Sequence, residues 1–182
     1  MLLTSQRYYL VLAGLAITAV LSGCAPAELT VSGQDAKLSG EENSAAFLDR
    51  ISSLDTITQN DALRGILMLE GAGTVDTFKQ RVDLLIEKNI LPPTGAYDAQ
   101  AELSRGQMAK LICSACKIKG SVIMRLTGYT ERYCLRELQY REMIVRGSGN
   151  TKISGMEFAS VLTRAATYKQ TQKYPDLVGE TE

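Results

Sequence analysis

The chain has 182 residues, 20 Lys+Arg balanced by 20 Asp+Glu, 45% apolar content and a mean hydropathy of -0.04, the composition of an ordinary globular domain. It contains no His and no Trp. The missing His excludes Ser-His-Asp and Cys-His catalysis, imidazole metal sites and a histidine pH switch.

Arg7 is the only charge in residues 1–23, and it precedes an apolar run from Tyr8 to Leu21. As a helix rising 1.5 Å per residue, that run spans about 21 Å, short of the roughly 30 Å hydrocarbon core of a bilayer. It therefore reads as the apolar region of a signal peptide and not as a spanning helix. The run ends at Leu21-Ser22-Gly23-Cys24, which resembles the lipobox of bacterial lipoproteins at all four positions. The resemblance implies removal of residues 1–23, acylation of Cys24, and a mature chain anchored to the envelope membrane through lipid. Ala25 after Cys24 resembles the pattern of lipoproteins sorted to an outer membrane. Residues 24–43 are poor in bulky apolar side chains and are expected to form a flexible tether.

Charge is unevenly distributed. Residues 24–100 carry 6 basic and 12 acidic side chains, and residues 101–152 carry 10 basic and 4 acidic. A basic middle suits an anionic polymer; alternatively it pairs with the acidic first half inside one fold. An exported lipoprotein does not meet nucleic acid, so none is expected as a partner.

Three short stretches line up: Ile57-Thr58 to Leu63, Leu103-Ser104 to Ala109, and Ile153-Ser154 to Ala159. Each reads aliphatic, Ser/Thr, two variable residues, Asp/Gln/Glu, then an apolar run. That is the grammar of a helix N-terminal capping box. It predicts helices over about 58–70, 104–117 and 154–168. Between them, residues 78–91 place apolar side chains at helical spacing and are stopped by Pro92-Pro93. Residues 131–144 repeat that pattern, with Gly147 as the expected C-cap. An earlier, shorter copy begins at Ser44, and an extra segment covers residues 120–128.

A helix, a loop and a capped second helix opening on Leu103-Ser104-Arg105-Gly106-Gln107-Met108-Ala109 resembles the S-layer homology (SLH) domain over roughly residues 44–168. The expected fold is all-α, a helical bundle of about three pseudo-repeats over residues 44–170, followed by a flexible tail at 171–182. The resemblance implies grooves between repeats that bind an anionic cell-wall polymer, with Arg105 as a groove contact and Ser104 and Gln107 as its helix cap. Gln59 and Gly155 stand at the Arg position in the other copies.

Arg132, Tyr133, Arg136 and Tyr140 make the richest polar constellation, because Tyr stacks on sugars and Arg forms bidentate bonds to carboxylates and phosphates. Arg132 and Arg136 share one helix face, and Tyr133 and Tyr140 the next. The alternative is local pairing of Arg136 with Glu131 or core packing of Tyr140, with the rest a solvated face.

Cys113 and Cys116 form Cys-x-x-Cys, with Cys134 as a third thiol. Core packing, a structural disulfide to Cys134 and a redox site are the alternatives. The pair sits well inside its helix, where a thiolate gains little from the N-terminal dipole. Ser114 and Lys117 match the Ser-x-x-Lys nucleophile motif and Ser148-Gly149-Asn150 the second element, but the third, Lys-Thr-Gly, is absent. No enzyme, metal or cofactor is expected. The expectation is a non-catalytic envelope lipoprotein whose repeats bind a cell-envelope polymer, or else a structural scaffold for another envelope protein.

Overall fold

A hydroxyl or carboxamide opens each of the principal helices in this computed structural model, which describes residues 28–33, 43–73, 75–120 and 122–173. Asn43 caps α1 (Ser44–Ser52), Thr58 caps α2 (Gln59–Leu69) and Thr77 caps α3 (Phe78–Glu87). Ser104 caps α4 (Arg105–Ala115) and Thr130 caps α6 (Glu131–Tyr140). Between these two lies the short α5 (Val122–Thr127), and α7 (Gly155–Lys173) starts after Ser154, whose hydroxyl accepts from the Glu157 N–H. Each cap satisfies an amide that the first helical turn leaves without an internal partner.

The full reciprocal box forms at Ser104/Gln107 and also at Thr77/Gln80. At α2 the shorter Asp61 carboxylate is used differently: it accepts from the Thr58 hydroxyl and from Arg50, each at 3.0 Å.

Four helices end alike. After α2, α3, α4 and α6 the chain turns left-handed at Gly71, Asn89, Lys117 and Glu142. The next residue then donates back to the carbonyl five positions earlier: Ala72 to Leu67, Ile90 to Leu85, Ile118 to Cys113 and Met143 to Leu138. This is the Schellman closure, in which an apolar residue beyond the turn packs back on the helix. Ile90, Ile118 and Met143 are buried accordingly. The expected boundaries shift as a result. α6 stops at Tyr140, well before Gly147, and α3 stops at Glu87, before Pro92-Pro93 is reached.

The three aliphatic residues in front of the capping hydroxyls meet at the centre. Ile57 N–H donates to Ile153 O (3.1 Å), Ile153 N–H to Leu103 O (3.2 Å) and Leu103 N–H to Ile57 O (2.8 Å), closing a ring of backbone hydrogen bonds. All three side chains are buried. Buried backbone groups need partners, and here each capped helix supplies them to another. Just outside the ring, Glu102 pairs with Lys152 and accepts from the Thr56 hydroxyl. The core continues outward through Phe47, Ile66, Phe78, Met108, Ile112, Leu138 and Phe158.

The fold is mostly helical but not plainly all-α. Thr30–Ser32 (β1) pairs in parallel with Ala96–Asp98 (β2), in the register Thr30 to Ala96. Gly33 completes this contact with a φ of 102°, where a Cβ would stand 2.7 Å from the Ala99 Cβ. Residues 30–32 were expected in the tether and instead join the domain, with Val31 packed against the core. At the other end α7 runs through 171–173, into the expected tail. Residues 1–27, which include the signal-peptide region and Cys24, lie outside the described residues, as do 34–42 and 174–182. Among the described residues no helix is long and apolar enough to cross a membrane.

Candidate functional site

The first helical residue after the Thr58, Ser104 and Ser154 hydroxyls, at Gln59, Arg105 and Gly155, lies on an interface with a distant segment of the chain. Gln59 N–H donates to Ala101 O (2.8 Å), Arg105 N–H to Thr151 O (2.9 Å) and Gly155 N–H to Leu54 O (2.9 Å). Their side chains then make the three interfaces different.

At the second interface the Arg105 side chain is used internally. Its Nη2 donates to Val145 O at 2.5 Å and to Glu157 Oε1 at 2.6 Å, and the residue is only 8% exposed. Gly147 lies against the guanidinium so closely that a Cβ there would stand 1.8 Å from Nη1. Ser104 and Gln107 beside it are engaged in the reciprocal helix cap. The sequence expectation placed Arg105 in a ligand-binding groove with Ser104 and Gln107 as its helix cap; the cap forms, and Arg105 is a strut from α4 to Val145 and Glu157. At the third interface Gly155 lets the backbones close, since a Cβ would stand 1.7 Å from Ile51 O.

The first interface stays open. Gln59 Oε1 accepts from Asp98 N–H at 3.3 Å, and beside it lies a cleft of about 210 Å³ bounded by α2, α4, the start of α6 and the segment between α3 and β2. Leu63, Leu91, Pro92 and Leu111 give the cleft an apolar wall, and Gln59, Tyr97, Gln107, Lys110 and Glu131 give it polar groups. Tyr97 is held by its hydroxyl, which donates to Pro92 O at 2.9 Å. Burial pushes that phenol up from its ordinary pKa, so it stays a neutral hydroxyl. The Lys110 ammonium has no hydrogen bond or ion pair with another described residue. Glu131, the first residue of α6, packs over Gly106. An apolar wall with a few fixed polar groups and one free cation is suited to a sugar ring and an acidic substituent.

On α6 the Arg132 and Arg136 side chains are exposed and without partners among the described residues. Tyr140, at the last helical position, is 84% exposed and does not pack into the core. Tyr133, almost directly behind it on the same side, is half-buried against the core. The four residues expected as one constellation therefore separate into an exposed Arg132/Arg136/Tyr140 surface and a packed Tyr133. Arg141 on the neighbouring face is engaged with Glu137 at 2.8 Å and lies over the Tyr168 ring.

Of the residues lining the cleft, Tyr97 and Lys110 carried no binding role in the sequence reading. Lys110 was within reach, since Gln107, Lys110 and Leu111 share a face at i, i+3 and i+4. Tyr97 had no linear signal, because its place depends on β2.

Cys113, Cys116 and Cys134 are free thiols buried in the core. The Cys113 thiol donates to Cys134 O at 3.8 Å. Contact with Cys134 together with burial pushes the Cys113 thiol well up, and burial raises Cys116 to about 11. Neither is a ready thiolate. Ser114 is buried and Lys117 exposed in its left-handed turn, and the bond between them is a backbone one, Lys117 N–H to Ser114 O at 3.3 Å. They are not arranged as a nucleophile and its base. No group of His, Cys, Asp or Glu among the described residues is placed to hold a metal ion.

Compared with family models, with curated proteins and with solved structures, the chain matches none.

Proposed function

We propose that this protein is a non-catalytic lipoprotein of the bacterial envelope, anchored through an acylated Cys24, whose three SLH-like units bind a cell-envelope polymer at the cleft between the first and second. The observation that carries the reading is the closed backbone ring of Ile57, Leu103 and Ile153. It brings the three capped helices together around one centre, the arrangement that three repeats of helix, loop and capped helix would take. The open first interface then supplies the groove.

Within that groove Lys110 pairs with an acidic substituent while Tyr97 and Pro92 offer a flat wall to a sugar ring. Arg132 and Arg136, which follow Glu131 along α6, extend the contact to further charges on the polymer. Glu131 disfavours a densely anionic chain inside the cleft itself, so the best fit is a polysaccharide with spaced acidic groups.

The test is co-sedimentation of the protein with purified sacculi of its own species at low and high salt. Wild type is expected to pellet at low salt and to be released as charges are screened. Lys110→Gln, and separately Arg132→Gln with Arg136→Gln, are expected to weaken pelleting while leaving the helical circular dichroism unchanged. Folded wild type that stays in the supernatant at low salt would overturn the polymer reading. The search would then move to a partner protein that the bundle serves as a scaffold.

A further inference from the structure

Among the described residues, α5 exposes its large aliphatic side chains more than any other helix does. Val122 is 69% exposed, Ile123 50% and Leu126 82%, whereas Met124 between them is 4% exposed and fixes the segment to the core. On its flanks Tyr129 OH donates to Ile118 O at 3.4 Å, and Arg141 Nη2 donates to Lys119 O at 3.5 Å. An apolar patch held out in this way marks a contact surface.

What surrounds the patch indicates the kind of contact. Lys117 and Lys119 precede it and Arg132 and Arg136 follow it, all four exposed and with no ion pair among the described residues. Tyr129 and Tyr140, also exposed, follow it in the chain as well. Short aliphatic side chains flanked in the chain by exposed Lys, Arg and Tyr are the chemistry of a protein that rests in a membrane interface, where the rings sit at headgroup level and the cations meet lipid phosphates. A docked protein would have to bury those cations against a matching acidic surface.

We propose that the Val122–Leu126 ridge dips into the surface of an anionic phospholipid bilayer and orients the domain on the membrane that anchors it. The proposal rests on the Cys24 anchor for its effective concentration, but not on polymer binding. Lipid attachment at the N-terminus and the ridge would fix two points, leaving the first-interface cleft at a set attitude to the bilayer.

The chain has no Trp, so Leu126→Trp introduces a single fluorophore at an exposed position. The full chain, acylated and purified from membranes, is reconstituted into vesicles of phosphatidylglycerol and phosphatidylethanolamine; flotation reads the anchor, and Trp emission with brominated-lipid quenching reads the ridge. Chain lacking the acyl group is titrated with the same vesicles, so the ridge is read with or without the anchor. The expected result is a blue shift and quenching on anionic vesicles that Met156→Trp, on α7, does not show. Lys117→Gln and Lys119→Gln together should lower the partition constant of the unacylated chain about 25-fold, at about fivefold per cation.

Co-flotation with solvent-like Trp emission would overturn the proposal and leave the anchor intact. A blue shift that grows with protein concentration in the absence of vesicles would overturn it in favour of a second copy of the chain. Equal insertion into purely zwitterionic vesicles would overturn the role given to the cations. Ile123→Trp repeats the measurement should Leu126→Trp fail to fold.

Discussion

Replacing Arg105 separates a strut from a ligand contact. In the folded protein its guanidinium bridges Val145 O and Glu157, with side-chain exposures of 10% for Arg105 and 25% for Glu157. Removing one partner of a fully buried pair costs about 3–5 kcal/mol. Here water reaches the Glu157 carboxylate and the Arg105 Nε already lacks a partner, so the cost of Arg105→Met should be lower, about 2–3 kcal/mol. Glu157→Gln keeps a hydrogen-bond acceptor while removing its charge, and should cost about 1–2 kcal/mol on the same grounds. The double variant should recover about 1–2 kcal/mol of the summed loss, because neither charge is then left alone. Urea unfolding followed by helical circular dichroism measures all four corners of this cycle. If Arg105→Met costs less than about 0.5 kcal/mol and the coupling vanishes, the strut reasoning fails. Arg105 would then return as a candidate ligand contact.

Three further outcomes follow from the same geometry. Gly147→Ala should reproduce most of the Arg105→Met loss, because its Cβ would stand 1.8 Å from Arg105 Nη1 and drive the guanidinium off Glu157; adding it to Arg105→Met should then cost little more, as a combined urea series would show. The hydrogen bond from Lys152 and then that from Thr56 hold the Glu102 carboxyl below its ordinary pKa, so the stabilisation it gives is present above the unfolded carboxyl range and is lost as pH falls through the folded midpoint. An NMR titration should find the Glu102 midpoint depressed, and raised toward the ordinary value in Lys152→Met; an unchanged midpoint in that variant refutes the pairing. With Cys116 raised to about 11, about one thiol in a thousand is ionised at pH 8, and burial hinders access as well. Iodoacetamide should therefore label native protein at a small fraction of the rate seen in urea, and equal rates would refute the buried-thiol placement.

What the sequence revealed was what local chemistry decides. Thr58, Ser104 and Ser154 open helices because a hydroxyl beside an apolar-periodic run needs only the next three amides to act. Helix ends were less legible. Asn89, Lys117 and Glu142 take a left-handed turn that glycine would announce, and they do so because Ile90, Ile118 and Met143 are drawn into the core just beyond. That cause is tertiary and leaves no mark in the helix itself. The pairing of Thr30 with Ala96 crosses 66 residues, and nothing within Thr30–Ser32 distinguishes it from a tether. The role of Arg105 depended in the same way on Val145 and Glu157, 40 and 52 positions away.

The identity of one helical position sets what each of the three interfaces is built from. Each of α2, α4 and α7 presents its first residue to a distant segment of the chain, and the backbone bonds there are nearly the same. Glycine at 155 permits backbone contact with Ile51 and Leu54. Arginine at 105 is long enough to fill the second interface and finds both a carbonyl and a carboxylate there, which makes its burial tolerable. Glutamine at 59 is neutral and shorter; it reaches a single amide, that of Asp98, and leaves the space between Leu63, Tyr97 and Lys110 unfilled. The basic residue that marks the motif in sequence is thus the one committed to holding the bundle together. In the polymer reading proposed above, recognition falls to Lys110 and Tyr97, which line the cleft beside Gln59.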